Sequence, residues 1–159
     1  FDEITYEGYG PNGVAIIIEV ITDNKNRSVA ELRHIFTKFG GSLGETGSVS
    51  WMFEKKGQII LESKSIVYET LFDIALIAGA EDLEKFENSY IITTPFESLM
   101  EVKKTIEDHG YLTKSADYQM ISKTSQKVTK SESHSVVKLL DTLDNNDDVN
   151  RIFSNLDLD

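Results

Sequence analysis

The hydrophobic positions fall into short blocks, and their spacing changes along the chain in a way that predicts its elements. Val14-Ala15-Ile16-Ile17-Ile18 is a continuous, mostly β-branched apolar run preceded by the turn Gly10-Pro11-Asn12-Gly13. Such a run predicts a strand buried on both faces at the centre of a sheet. Ile4-Thr5-Tyr6 is expected to pair beside it as an edge strand. After residues 24–26 the period lengthens. Val29, Leu32, Ile35, Phe36 and Phe39 recur at helical spacing, which predicts a helix running to about Phe39. Ser28 and Glu31 have the spacing of a capping box, and Gly40-Gly41 ends the helix. On its opposite side Arg27, Glu31, His34 and Lys38 form one exposed stripe.

Alternation returns at 48–54, where Val49, Trp51 and Phe53 predict a half-buried strand. Lys55-Lys56-Gly57 then reads as a turn and 58–62 as a second strand, so two lysines project from a hairpin tip. Residues 65–78 predict a helix with Val67, Leu71, Ile74, Ala75 and Ile77 on its apolar side. Short strands follow at 82–86 and 89–93. Thr94-Pro95-Phe96-Glu97 is a helix start, with Thr94 as cap and Pro95 in the first turn. That helix continues through Leu99, Met100, Val102 and Ile106 to Gly110. A strand at 117–121, a Ser/Thr/Lys-rich linker at 122–133, a helix at 134–143 and a strand at 149–153 complete the pattern.

A helix, a glycine, a loop and a strand occur in that order twice. Phe39-Gly40 leads to Trp51-Met52-Phe53, and His109-Gly110 leads to Gln119-Met120-Ile121. This internal repeat points to two α/β sandwiches of one kind. The first needs a second helix and a last strand to complete a βαββαβ order, and the final 25 residues offer them. The expected fold is therefore α+β: two ferredoxin-like α/β sandwich domains with antiparallel sheets, one inserted in the other. Residues 1–63 plus 127–159 form the split domain and 64–126 the inserted one. Two consecutive domains are the competing layout.

Composition narrows the chemistry. The 159 residues include no cysteine, which removes disulfide scaffolds, zinc-thiolate sites and cysteine nucleophiles. No apolar run approaches the ~20 residues of a membrane span, and no basic-plus-apolar leader is present. The expected setting is the cytoplasm, away from membranes. The chain begins at Phe1 rather than Met, so an amino-terminal part is expected to precede it. The net charge is −11, distributed as −2 over residues 1–65 and −9 over the rest. Within 24–56 the sign reverses to +3, because Lys25, Arg27, Arg33, Lys38, Lys55 and Lys56 face only Glu31, Glu45 and Glu54. Arginine suits phosphate because its planar fork donates two parallel bonds. A small basic island cannot by itself bind nucleic acid tightly, since non-specific affinity scales with the phosphates neutralised.

Catalytic and metal chemistry find no footing. His34, His109 and His134 fall on different predicted elements, none at the spacing of H-E-x-x-H. His109 reads as a surface residue complementing a helix C-terminus. Asp141, Asp144, Asp147 and Asp148 lack the glycine and spacing of a calcium loop and read as a solvated acidic turn. The glycine clusters at 8–11 and 40–44 lack the Gly-Lys-Ser/Thr ending of a phosphate loop. No cofactor, no metal and no catalytic residue is expected.

Three segments carry a family resemblance. Residues 3–15, Glu-Ile-Thr-Tyr-Glu-Gly-Tyr-Gly-Pro-Asn-Gly-Val-Ala, resemble the opening of the conserved region of the YebC family. So do residues 22–34, Thr-Asp-Asn-Lys-Asn-Arg-Ser-Val-Ala-Glu-Leu-Arg-His, and the run from Phe39-Gly40-Gly41-Ser42-Leu43-Gly44 through Gly47-Ser48-Val49-Ser50-Trp51-Met52-Phe53. Beyond residue 65 the spacing, Ala78-Gly79-Ala80-Glu81-Asp82 and Thr94-Pro95 continue the likeness. The whole chain fits that family's second and third domains. The resemblance implies a transcriptional regulator or a ribosome-associated translation factor; mitochondrial members activate translation of cytochrome c oxidase subunit I. It also implies a basic, helical amino-terminal domain ahead of this region.

Two functional readings follow. In the first the chain is a non-enzymatic regulator of gene expression that contacts DNA or ribosomal RNA, with the ribosome as partner in the second case. Lys25, Arg27, Arg33, His34, Lys38, Lys55 and Lys56 would contact phosphates, which position a protein without reading sequence. Most of the binding charge would lie on the preceding domain. In the second reading the Gly-rich loops at 8–13 and 40–47, with Gly10, Gly41 and Gly44 in them and Tyr9 exposed near them, form an edge that docks a ribosomal or polymerase protein. A small-molecule sensor is the third class, and it rests only on a cleft expected between two α/β domains.

Overall fold

The computed structural model describes residues 1–158. The chain divides into two compact units: residues 1–54 with 121–159, and residues 55–120.

In the first unit the apolar run forms β2 (Ala15–Thr22), which pairs antiparallel with β1 (Asp2–Tyr9) on one side and β9 (Val149–Ser154) on the other. The strand is central and buried on both faces, as its unbroken apolar sequence requires. β1 is not the edge, because the two-residue β3 (Ser42–Leu43) adds beyond it and gives the order β3-β1-β2-β9. Two helices supply the core partner. α1 (Lys25–Lys38) buries Leu32, Ile35 and Phe36, and α4 (Lys130–Asp144) buries Val136, Leu139 and Leu143 against Ile16, Ile18 and Val20.

The helix boundaries show which local signals governed. The N-cap of α1 is Asn24, whose side chain accepts from the Arg27 N–H at 3.1 Å, not Ser28. Ser28 is instead buried inside the helix. A true capping box stands at Thr129 and Glu132 and starts α4 four residues earlier than periodicity predicts. The expected linker at 122–133 therefore contains that start and also β8 (Gln126–Val128), which pairs in parallel with β10 (Leu156–Leu158).

The second unit consists of β4 (Phe53–Glu62), α2 (Tyr68–Ala78), β5 (Asp82–Phe86), β6 (Ser89–Pro95), α3 (Leu99–Asp108) and β7 (Ser115–Ser122). The sheet order β5-β6-β4-β7 and the antiparallel pairing make this a ferredoxin-like βαββαβ sandwich. Ile59, Leu61, Leu71, Ala75, Ile92, Val102 and Ile106 form its core.

Several expectations are corrected here. Residues 50–52 form a 3-10 turn, and Trp51 is exposed, not a strand residue. Lys55-Lys56-Gly57 is no hairpin tip. It lies inside the continuous β4, where Lys56 faces Pro95 and Gly57 faces Thr94. Gly57 is buried, and a Cβ there would stand 2.9 Å from Leu99, so the glycine marks a close helix approach instead of a turn. Because β4 pairs with β6, the units divide at 54/55 and 120/121 instead of 63/64 and 126/127. The βαββαβ order belongs to the second unit; the first runs β1-β2-α1-β3, then β8-α4-β9-β10. Each unit has a four-stranded sheet, but the chain order differs and the first adds the β8-β10 pair. Thr94 donates its hydroxyl to the Pro95 carbonyl at 2.8 Å and caps nothing; a 3-10 turn at Phe96–Ser98 precedes α3. α2 begins at Tyr68 rather than 65, since Ser65 has φ +65°.

Candidate functional site

The α1 segment carries five of the seven expected phosphate contacts, and the structure sorts them. Arg27 Nη2 lies 3.1 and 3.0 Å from the two carboxylate oxygens of Asp148, and 3.2 Å from Asp23 Oδ1. Glu31 approaches its Nε at 4.0 Å. Ser28 Oγ sits 2.7 Å from both Thr22 Oγ1 and Asp148 Oδ2. Arg27 is thus the guanidinium of a polar cluster tying the start of α1 to the turn before β9. Bonding to Asp148 pushes the Arg27 pKa further above its ordinary value, with Asp23 adding to it. The Ser28 hydroxyl, and then Arg27, hold the Asp148 carboxyl below the usual carboxylate range against the opposing effect of burial. Asp23, Arg27 and Asp148 line a cleft of about 840 Å³ with Glu31, Asn146 and Asp147, and its charge is mainly acidic. Asp148, expected in a solvated acidic turn, is therefore a structural ligand of Ser28 and Arg27.

Arg33, His34 and Lys38 are exposed on the outward side of α1, and Lys25 is exposed in its first turn. Among the described residues no carboxylate lies within ion-pair distance of these four. Lys38 Nζ lies 5.5 Å from the centre of the Phe39 ring, and its head remains open to solvent.

Lys55 and Lys56 belong to the second unit and are engaged there. Lys56 Nζ lies 2.8 Å from both Glu81 carboxylate oxygens. Lys55 Nζ sits 4.3 Å from the ring centres of both Phe96 and Tyr118, themselves edge to face at 6.1 Å. A cation held between two rings is stabilised by both quadrupoles.

The expected docking loops are largely internal structure. Tyr9 is half-buried, not exposed, and its hydroxyl donates to the Ser48 carbonyl at 3.4 Å. Gly10 is buried against Ile16 and Leu139. Gly41 is half-buried, and its N–H donates to the Phe36 carbonyl at 2.8 Å. Gly44 alone of the four is exposed, and its N–H donates to the Glu7 carbonyl at 2.8 Å.

Glu7 organises this region. Its buried carboxylate accepts from the N–H groups of Gly47 at 2.8 Å, Val49 at 3.0 Å and Ser50 at 2.6 Å. Burial alone would raise its pKa, but these backbone donors, with the Ser50 hydroxyl, outweigh burial and hold it below the ordinary value. Sequence gave little warning, because an acid alternating with Thr5 and Tyr9 reads as a solvent-facing strand position.

His109 is exposed and bonds through Nδ1 to the Thr105 carbonyl at 2.8 Å, at the end of α3. Among the described residues no group of three or more His, Asp or Glu has metal-binding geometry. No helix among them is long and apolar enough to cross a membrane.

These features define an α+β protein of two antiparallel-sheet units, with an open cationic helix face on an otherwise acidic chain. The chain belongs to the TACO1/YebC family: residues 1–156 match the model described as "TACO1/YebC second and third domain". It is 44% identical over 158 residues to a "Probable transcriptional regulatory protein" of Geotalea uraniireducens, covering 99% of this chain and 64% of that one. A protein of the same description from Symbiobacterium thermophilum is 47% identical over 160 residues, covering 99% of this chain and 66% of the relative. The fold matches the crystal structure of a conserved hypothetical protein from Aquifex aeolicus with a TM-score of 0.90 and 39% identity, over 100% of this chain and 66% of that one. The chain thus spans slightly less than two thirds of the first of these curated relatives. Their names describe transcriptional regulators, not enzymes.

Proposed function

We propose that this chain acts, without catalysis, in the control of gene expression by contacting nucleic-acid phosphates through the outward face of α1, with Arg33, His34 and Lys38 as the contacts and Lys25 beside them. The observation that carries this reading is the contrast among the cations. Arg27, Lys55 and Lys56 are occupied by carboxylates or rings, whereas the four on α1 keep their donors for an external anion. The regulatory names of the relatives agree with it.

Oriented binding follows from the charge. At −11 overall the body repels phosphate, so only an approach with α1 inward is favourable. Ribosomal RNA within a crowded ribonucleoprotein suits such a body better than tracking along duplex DNA, and the cytoplasm is the matching compartment.

The test is binding of this chain and an Arg33→Glu/Lys38→Glu variant to a ribosomal RNA fragment and to duplex DNA across a salt series. Losing two phosphate contacts should lower the log–log salt slope by roughly two and weaken low-salt binding. Equal affinity and slope for the two proteins would refute the interface. Tighter binding of the wild type to duplex DNA would reverse the RNA preference.

A further inference from the structure

A second surface, in the second unit, has a different chemistry. The loop 63–67 between β4 and α2 and the loop 109–114 between α3 and β7 enclose a groove of about 580 Å³. We infer that this groove is a docking site for a short protein segment presenting an apolar side chain beside a carboxylate.

The apolar half of the argument starts at Leu112, which is 89% exposed although it lines the groove. Ile66 and Tyr111 line it too, half-buried and packed on the unit's core, so a solid apolar floor lies beside an exposed leucine. Such an arrangement gains by removing Leu112 from water against a partner's side chain.

The charged half rests on Lys64 and Lys114, both exposed and both lining the groove. Elsewhere in this unit the cations are mostly spoken for. Lys56 pairs with Glu81, Lys103 with Glu107 and Lys104 with Asp108, while Lys55 lies between two rings. Lys64 and Lys114 have no carboxylate within ion-pair distance among the described residues. A partner carboxylate is the complementary group for these two ammonium heads.

The same lining disfavours nucleic acid. It has no arginine, and its tyrosine is half-buried. Base stacking needs an open aromatic face, whereas the exposed apolar group here is the aliphatic Leu112.

The experiment is a titration of the isotope-labelled chain with the peptide acetyl-Asp-Asp-Leu-Phe-Asp-amide, followed by amide chemical shifts. The expected result is saturable shifts at Ile66, Tyr111, Leu112 and Lys114, with affinity at least about tenfold weaker for Lys64→Glu/Lys114→Glu and unchanged for Lys85→Glu. A peptide with lysine in place of each aspartate should cause none of these shifts. Absence of shifts at millimolar peptide, where even weak complexes are populated, would overturn the proposal. So would saturation of the same amides by an oligouridine. The α1 interface is read separately, since Arg33→Glu/Lys38→Glu should bind the peptide as the wild type does.

Discussion

Ser28 Oγ and Asp148 Oδ2 stand 2.7 Å apart although 120 residues separate them. The bond joins a helix residue from the first chain segment of the split unit to a turn from its second. Asp148 also accepts from Arg27, and Ser28 contacts Thr22 at the end of β2. Asp148→Ala removes the acceptor and leaves Ser28 and Arg27 without their shared partner. Hydrogen bonds to a charged group are worth ~1.5–3 kcal/mol, so urea denaturation should show a loss of that order. Arg27→Gln, half-exposed, should cost less.

Glu7 makes a comparable link through backbone donors. Glu7→Gln keeps the shape but replaces a charged acceptor with a neutral one and turns an amino group toward N–H donors. We expect a loss of ~1–3 kcal/mol and faster hydrogen exchange at Gly47, Val49 and Ser50. Protection unchanged at those three amides would mean the loop is held by other contacts.

Both carboxylates have folded-state pKa values below their ordinary 4.5 and 3.8. Their contribution is complete above the ordinary values, where both states are ionised. It is lost as pH falls, because the unfolded chain takes up protons first. Melting temperature should be level from neutral pH to about pH 5 and decline below it. In a Glu7→Gln/Asp148→Asn variant the acid decline should be shallower.

Gly57→Ala tests the close approach of α3 to β4. The added Cβ meets Thr94 Oγ1 and stands 2.9 Å from both Leu99 Cβ and Cδ1. Backbone and helix must shift, at a cost of ~1–3 kcal/mol for overpacking. A variant as stable as the wild type would show that the helix yields freely.

Lys55→Gln removes the cation between Phe96 and Tyr118. Thermal denaturation should register a modest loss, ~1 kcal/mol. The salt slope of nucleic-acid binding should stay where it was, unlike that of the α1 variant. A fall in slope would return Lys55 to the phosphate interface.

Much of the secondary structure could be read from periodicity because it reports burial directly. The unbroken run at 14–18 points to a central strand, and the helical recurrence of Leu32, Ile35 and Phe36 to a core-facing side. Errors collected where one residue type has two uses. Glycine at 57 looked like a turn but admits a helix, and Ser28 looked like a cap but bonds inward. Tyr9 and Gly10 looked like a docking edge but fill the space between loop, sheet and α4. For the site, spacing alone placed His34 and Lys38 on an exposed helix stripe, with Arg33 beside it, because solvent exposure follows from helical period. It could not tell that Arg27, in the same stripe, was already bound.

Residue order therefore settled the α+β class, the existence of most helices and strands, and the family, since each depends on local pattern or on stretches of contiguous residues. Folding in three dimensions settled which strands share a sheet, where the units divide, and which cations remain unoccupied. Those outcomes depend on partners such as Asp148 and Glu81, which lie 121 and 25 residues from the cations they hold, and pairing at such distances leaves no periodic trace in the chain.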